Sequence, residues 1–307
     1  MKTILILGAN GGIGKATARA FLAAGWRVAG LVRGEQGAIE GIKPVRADMF
    51  DTQAVVRAVS EAVGSVDVVF NGLNVPYPTW PTDALPLYTA AADIAEALGA
   101  RHIYPGSVYN FGSAMPPVLT PQTPFRADTV KARIRVEIEA MLRQRAQAGR
   151  LKTLIIRAGD FFGAEARMSW MKALVGKDLA KGKIVTPGKP GTVHAWAYLP
   201  DLAQVIVRLA EKETELADYE VFHFESHNVT PRQLAEAGGK AAQRKVRVSH
   251  MPRMMFSLIA VFDPFMKAAL EMLYLWDVPH ALKDDRLKQV IGDVPKTSLD
   301  VALKSML

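Results

Sequence analysis

Residues 4–21 read ILILGANGGIGKATARAF, and this stretch decides how the chain folds. A short apolar run ends in three spaced glycines, Gly8, Gly11 and Gly14, and an alanine-rich amphipathic segment follows at once. The first glycine permits a tight turn, the second lets a ligand approach the backbone, and the third lets a helix lie against the strand. Free N–H groups and the dipole at a helix start favour phosphate. The stretch therefore predicts a strand, turn and helix that bind the diphosphate of a dinucleotide. The predicted contacts are Gly8, Asn10, Gly11, Gly12, Ile13 and Gly14.

Short apolar runs alternate with amphipathic segments through the first half of the chain. The runs cover residues 3–7, 27–32, 43–46, 66–70, 101–105 and 152–157, and the amphipathic segments cover 13–24, 51–63, 84–98 and 128–147. Strands that alternate with helices pair in parallel through right-handed crossovers, so that helices cover both faces of the sheet. The pattern predicts an α/β fold with a doubly wound parallel sheet.

The alternation loosens after about residue 160, where glycines and the run TPGKPGT at 186–192 interrupt it. Further elements are predicted near 200–211, 220–224, 231–241 and 245–249. We predict a dinucleotide-binding domain over residues 1–160. Residues 161–307 are predicted to form mainly a smaller C-terminal substrate-binding lobe, with some segments returning to the core of the first domain.

Two strongly apolar segments lie in the C-terminal part, MMFSLIAVF at 254–262 and LEMLYLW at 270–276. Asp263, Pro264 and Lys267 interrupt them well short of the roughly 20 apolar residues that span a bilayer. We predict no transmembrane helix and no membrane partner. A helix pair that closes the lobe is favoured, and the wall of an apolar substrate pocket or a patch for a membrane surface or partner are the alternatives.

The composition excludes several functional classes. With 307 residues, of which 50% are hydrophobic and 22% charged, the chain is not a disordered polymer. The absence of cysteine excludes disulfides, thiolate nucleophiles and cysteine metal sites, and the six histidines show no metal-binding spacing. We therefore expect no metal site. A cytoplasmic location is expected because a chain without disulfides suits a reducing interior.

The net charge of +8 is concentrated in one segment, since eight basic and three acidic residues lie between Arg126 and Lys152. Apolar residues recur there at i+4, which indicates a helix with one buried face. The basic residues then form a solvated face beside an anionic ligand site, or a nucleic-acid surface. No aromatic residues interleave them, as single-strand binding would require. We favour the ligand site and expect a small-molecule partner and no nucleic acid.

The second strand, WRVAGLVR, ends in Arg33. NAD sites usually place a carboxylate there to hold the ribose hydroxyls, whereas an arginine offers its fork to a 2′-phosphate. We predict NADP, with NAD less favoured, although a solvated arginine at a strand end is the alternative. Asp48 and Met49 are also predicted cofactor contacts. Asp48 is a candidate to accept from the adenine amino group, or else to cap the next helix. The predicted contacts after the fourth strand are Asn71, Gly72 and Leu73.

Six motifs follow one another along nearly the whole chain. They are GANGGIG, ADMFD, YPGSVYNFG, LIIRAGDFFG, AWAYLPDLAQVIV and VIGDVPKTSLDVAL. In this order they resemble the extended or atypical short-chain dehydrogenases/reductases, the group that contains nucleotide-sugar epimerases, dehydratases and related reductases. The resemblance implies a Rossmann sheet with a substrate lobe, and a homodimer formed through the helical segments 84–98 and 128–147.

The family also implies a catalytic serine, tyrosine and lysine, with the tyrosine four residues before the lysine. Residues i and i+4 share a helix face, so that the ammonium can hold the phenol and lower its pKa for proton exchange with a substrate oxygen. Lys131 fits the lysine, which also binds the nicotinamide ribose, and Ser107 fits the serine. Ala127 stands at the tyrosine position, and a methyl group cannot transfer a proton.

Other residues are candidates for the missing acid. Tyr109, two residues after Ser107, is the first of them, and Tyr77, Tyr88 and Tyr198 are weaker because tyrosines usually pack in a core or pocket wall. His194 is either an acid/base or a structural histidine whose ring nitrogens are hydrogen-bonded within the protein.

Two functions follow from the sequence. One is an NADP-dependent oxidoreductase or epimerase acting on a carbonyl or hydroxyl, and the other is a catalytically silent NAD(P)-binding sensor or regulatory protein.

Overall fold

The computed structural model describes residues 1–32, 39–166 and 169–307, and fourteen strands lie within these ranges. They are β1 (Thr3–Leu7), β2 (Arg27–Leu31), β3 (Lys43–Val45), β4 (Val68–Asn71), β5 (Arg101–Gly106), β6 (Val118–Leu119), β7 (Thr153–Arg157), β8 (Asp160–Phe162), β9 (Lys183–Thr186), β10 (His194–Tyr198), β11 (Tyr219–His223), β12 (His227–Val229), β13 (Arg247–His250) and β14 (Ala281–Leu282).

Eleven α-helices connect these strands in the same described ranges. They are α1 (Gly12–Ala23), α2 (Thr52–Val63), α3 (Leu85–Ala97), α4 (Val130–Gln147), α5 (Lys177–Leu179), α6 (Leu199–Glu211), α7 (Pro231–Ala241), α8 (Arg253–Ala260), α9 (Pro264–Ala269), α10 (Asp285–Ile291) and α11 (Leu299–Lys304). Three 3₁₀ segments bear on the site: Tyr77–Thr79, Val108–Phe111 and Leu270–Trp276.

Seven strands form one sheet in the order β11-β7-β5-β4-β1-β2-β3, and every neighbouring pair is parallel. The strand order reverses direction between β1 and β4. Ligands of such sheets bind at this switch point, beyond the carboxyl ends of the strands. The prediction of a doubly wound parallel sheet is confirmed.

The sheet is buried on both faces, and β1 shows why its sequence is continuously apolar. Ile4 and Ile6 point to the face covered by α1 and α6, whereas Leu5 and Leu7 point to the face covered by α2, α3 and α4. Successive strand side chains alternate between faces, so a strand covered on both sides needs an apolar residue at every position. The carboxyl end of β1 is thereby fixed in the middle of the sheet.

The C-terminal part adds small sheets and helices at the carboxyl edge. Strands β8, β10 and β12 form one sheet, and β9 pairs with β13. Strand β11 returns to the edge of the main sheet beside β7. Of the two apolar segments, the first forms α8 and the second forms the 3₁₀ segment 270–276. Helix α8 packs against α9, which lies between the two segments. Among the described residues, no helix is both long enough and apolar enough to cross a bilayer.

Candidate functional site

The glycine turn after β1 leads directly into α1. Gly8 has a φ of +80°, which is the left-handed conformation that favours glycine, and the Gly11 amide donates to the Gly8 carbonyl at 2.9 Å. Gly11 occupies the N-cap position of α1, and because glycine has no side chain, no side-chain hydrogen bond caps this helix. The first amides of α1 therefore point to the switch point without a side-chain acceptor, as a phosphate-binding helix start requires.

Glycine also allows three backbone segments to meet at this turn. A Cβ on Gly8 would lie 2.9 Å from the Gly72 carbonyl oxygen, and a Cβ on Gly14 would overlap the Gly8 carbonyl. A Cβ on Gly12 would overlap the Glu165 carbonyl, so the chain after β8 crosses the start of α1. Among the other predicted contacts, Asn10 is exposed and Ile13 is half-buried.

Asn71 ends β4 beside this turn. Its Oδ1 accepts from the Leu73 amide at 3.2 Å, while its buried Nδ2 has no hydrogen-bond partner among the described residues. A buried donor without an acceptor is costly, so this amide fits a ligand that brings an acceptor. The structure brings the predicted Asn71, Gly72 and Leu73 together with Gly8 and Gly14.

Of the remaining cofactor predictions, Asp48 and Met49 follow β3. Asp48 is exposed, and its Oδ1 accepts from the Phe50 amide at 3.0 Å, so it closes a turn, while Asp51 caps α2. Met49 is half-buried against the core. Arg33 lies outside the described residues. The roles of these three residues stay predictions.

Ser107 and Tyr109 follow β5 in the 3₁₀ turn. Ser107 Oγ accepts from the Tyr109 amide at 3.4 Å, and its carbonyl accepts from the buried Arg157. The Tyr109 hydroxyl lies 2.8 Å from the Tyr77 hydroxyl, which comes from the loop after β4. A hydroxyl pair is therefore formed next to the predicted serine.

Lys131 lies in the first turn of α4 with 3% of its side chain exposed. Its ammonium donates to Glu271 Oε1 and to the Ala268 carbonyl, both at 2.6 Å. The other carboxylate oxygen of Glu271 accepts from the Val130 amide at 2.8 Å. Ala127 packs against the hydrophobic core on the sheet face that α2, α3 and α4 cover. The predicted lysine is thus engaged by a carboxylate from the C-terminal part that is not among the predicted site residues.

Tyr77 contacts both Tyr109 and Lys131. The Lys131 Nζ lies 4.7 Å from the centre of the Tyr77 ring, and Phe265 stacks on that ring at 5.2 Å. The structure therefore joins Ser107, Tyr109 and Lys131 through Tyr77. Phe265, Ala268 and Glu271 contact this cluster from the C-terminal part.

Burial dominates the electrostatics of the two tyrosines. It raises the pKa of Tyr77 to about 12 and raises the pKa of Tyr109 well above the ordinary value. The charge of Arg135 lowers both pKa values in part. Both side chains are therefore neutral phenols at neutral pH and can donate a proton.

The other acid candidates are engaged in structural contacts. His194 is buried, and its ring nitrogens lie 2.9 Å from Asp160 Oδ2 and 3.2 Å from the Leu275 carbonyl. The Tyr88 hydroxyl donates to the Leu73 carbonyl at 3.0 Å, and Tyr198 packs against Phe162. Nowhere in the described residues do three or more histidine or acidic side chains cluster as a metal site would need.

Comparison with known proteins agrees with this fold. A sequence model of the NAD dependent epimerase/dehydratase family matches residues 4–223. The UDP-glucose 4-epimerase of Bifidobacterium longum, solved with NAD+ and UDP, has a TM-score of 0.77 at 15% identity, covering 99% of this chain and 97% of that one. The L-threonine 3-dehydrogenase of Trypanosoma brucei has a TM-score of 0.75 at 18% identity, covering 100% and 96%. Such low identities show the fold alone. No match was found among curated proteins.

Proposed function

The chain belongs to the NAD dependent epimerase/dehydratase family, and from this premise we propose that it is an NADP-dependent oxidoreductase or epimerase acting on a carbonyl or hydroxyl substrate. The observation that carries the proposal is the uncapped start of α1, beside the buried amide of Asn71, which has no hydrogen-bond partner in the described part of the chain. These groups fit the diphosphate and the acceptor atoms of a nicotinamide dinucleotide.

The bound cofactor supplies hydride transfer to or from a substrate carbon. The amides at the start of α1 and the turn at Gly8 hold the diphosphate. Ser107 donates a hydrogen bond to the substrate oxygen, and Lys131 contributes a positive charge beside the tyrosines. Tyr109 shares its proton with Tyr77, so that a phenol remains near the serine although position 127 carries alanine.

The preference for NADP rests on Arg33 and is tested by Arg33→Asp. A guanidinium pairs with a 2′-phosphate, whereas a carboxylate repels it and accepts from ribose hydroxyls. We expect calorimetry to show weaker NADPH binding and stronger NADH binding in this variant. Arg57→Asp, the same charge change at an exposed position of α2, is the control. An unaltered ratio of the two affinities in Arg33→Asp would remove Arg33 from the site.

Two observations favour the second function, a silent binding protein. Lys131 is held by Glu271, and position 127 has no phenol. Oxidation of NADPH against a panel of aldehydes, ketones and nucleotide sugars separates the two functions. We expect turnover with at least one class of carbonyl substrate. Folded protein that binds NADPH but turns over none of the panel would establish the sensor.

A further inference from the structure

The hydroxyls of Tyr77 and Tyr109 carry one proton more than the hydrogen bond between them needs. Two hydroxyls carry two protons, and the single bond between them at 2.8 Å uses one. Neither hydroxyl has another hydrogen-bond partner among the described residues. One O–H is therefore left for a group that the protein does not supply.

Tyr77 is the better placed of the two to use that proton on a substrate. Its side chain is half-buried, whereas Tyr109 is 7% exposed. Its ring lies against the Lys131 ammonium, a positive charge that stabilises the phenolate formed when the proton leaves. The loop after β4 thus brings a phenol to Lys131.

We propose that Tyr77 is the catalytic proton donor that replaces the phenol missing at position 127, with Tyr109 as the group that returns its proton. This inference rests on the proposed oxidoreductase or epimerase function. Glu271 is then a positioning residue, because its carboxylate holds Lys131 beside the Tyr77 ring.

The proton and electron balance is complete in the reducing direction. With the reduced nicotinamide bound, the substrate carbonyl carbon would accept the hydride that the cofactor supplies as it is oxidised, and the C=O π pair would move to the oxygen. That oxygen takes the Tyr77 proton as the Tyr77 O–H bond breaks. Tyr77 recovers a proton from Tyr109, which recovers one from solvent. The high pKa of Tyr77, caused first by burial, keeps the phenol protonated before the step.

The test compares three phenylalanine variants. Tyr77→Phe keeps the ring that contacts Phe265 and Lys131 but removes the hydroxyl, so we expect kcat to fall about 10²-fold or more, with the calorimetric NADPH affinity unchanged. Tyr109→Phe leaves the donor in place and should lower kcat less. Tyr219→Phe, in the edge strand β11 beside Arg143, is the matched control and should keep wild-type kcat.

A second readout needs no turnover. The tyrosinate absorbance of wild type minus Tyr77→Phe, measured without cofactor, reports the Tyr77 hydroxyl together with the change that its loss causes at Tyr109. In wild type the Tyr77 hydroxyl should ionise near pH 12. Ionisation at the pH of an ordinary tyrosine would contradict the buried pair.

The kinetic outcomes separate the inference from the function on which it rests. If wild type is active and Tyr77→Phe keeps its kcat, only the inference falls. It also falls if Tyr109→Phe loses more than Tyr77→Phe, because Tyr109 is then the donor. If wild type turns over no substrate, the proposed function itself falls and the inference falls with it.

Discussion

At the residue scale, a substitution at Gly11 should change ligand binding while leaving the stability of the fold nearly unchanged. It is the N-cap of α1, with φ −73° and ψ 162°, a conformation that other residues adopt. In Gly11→Asp the new carboxylate lies where we place the diphosphate, yet aspartate is a good N-cap. We expect calorimetry to show loss of NADPH binding, while the free energy of unfolding changes by less than about 1 kcal/mol.

Gly11→Asn is the matched control for that change, because asparagine has the same shape and caps helices without a charge. Binding that is weaker in the aspartate variant than in the asparagine variant measures the repulsion of the phosphate. Full NADPH affinity in Gly11→Asp would refute the assignment of this turn to the diphosphate.

At the element scale, the Lys131–Glu271 pair ties α4 to the segment after α9. In Glu271→Ala the ammonium of Lys131 stays buried without its carboxylate, and the Val130 amide loses its acceptor. Breaking a buried pair costs about 3–5 kcal/mol, and Glu271 keeps 25% of its side chain exposed. We expect the free energy of unfolding in urea to fall by about 3 kcal/mol.

The control for this pair is Glu215→Ala, which removes the exposed i,i+3 partner of Lys212. Surface pairs contribute little, so that loss should stay below about 0.5 kcal/mol. Similar losses in both variants would show that Glu271 does not hold α4 in place.

Elements were more predictable from the sequence than the contacts between them. The alternation of apolar runs and the glycine turn are local signals, and α1 and α4 begin within two residues of the predicted positions. Tyr77 and Glu271 reach Lys131 from distant parts of the chain, and no periodicity relates residues so far apart. Glu271 did carry one signal, because it is the single charged residue in the apolar run 268–276.

At the scale of the whole molecule, the sheet order follows from the succession of elements, whereas the C-terminal pairings do not. Crossover connections are right-handed and short, so alternating strands and helices have few possible arrangements. Strand β6 pairs with β14, although both have only two residues and more than 160 positions separate them. Strands that short have no periodic pattern, so the chain around them could be predicted only as a loosely ordered lobe.

The stability of the whole molecule should depend on pH through three buried histidines. Burial lowers the pKa of His102, His223 and His280 to about 3, and unfolding restores the ordinary value of 6.5. Between these values the unfolded chain binds more protons than the folded one. The stabilisation is therefore complete above pH 6.5 and is lost as the pH falls towards 3. One pH unit is worth about 1.4 kcal/mol per histidine, so we expect the free energy of unfolding to fall by about 2 kcal/mol per histidine between pH 6.5 and 5.

His102 allows this dependence to be tested at one site. Neither of its ring nitrogens has a hydrogen-bond partner among the described residues, so His102→Leu removes a titrating group without breaking a bond. We expect urea unfolding to show a fall in stability between pH 6.5 and 5 that is smaller than in wild type by the share of one histidine, about 2 kcal/mol. His250→Leu, at an exposed position, should keep the wild-type dependence. A wild-type pH dependence in His102→Leu would mean that this histidine accepts a proton in the folded chain as readily as in the unfolded one.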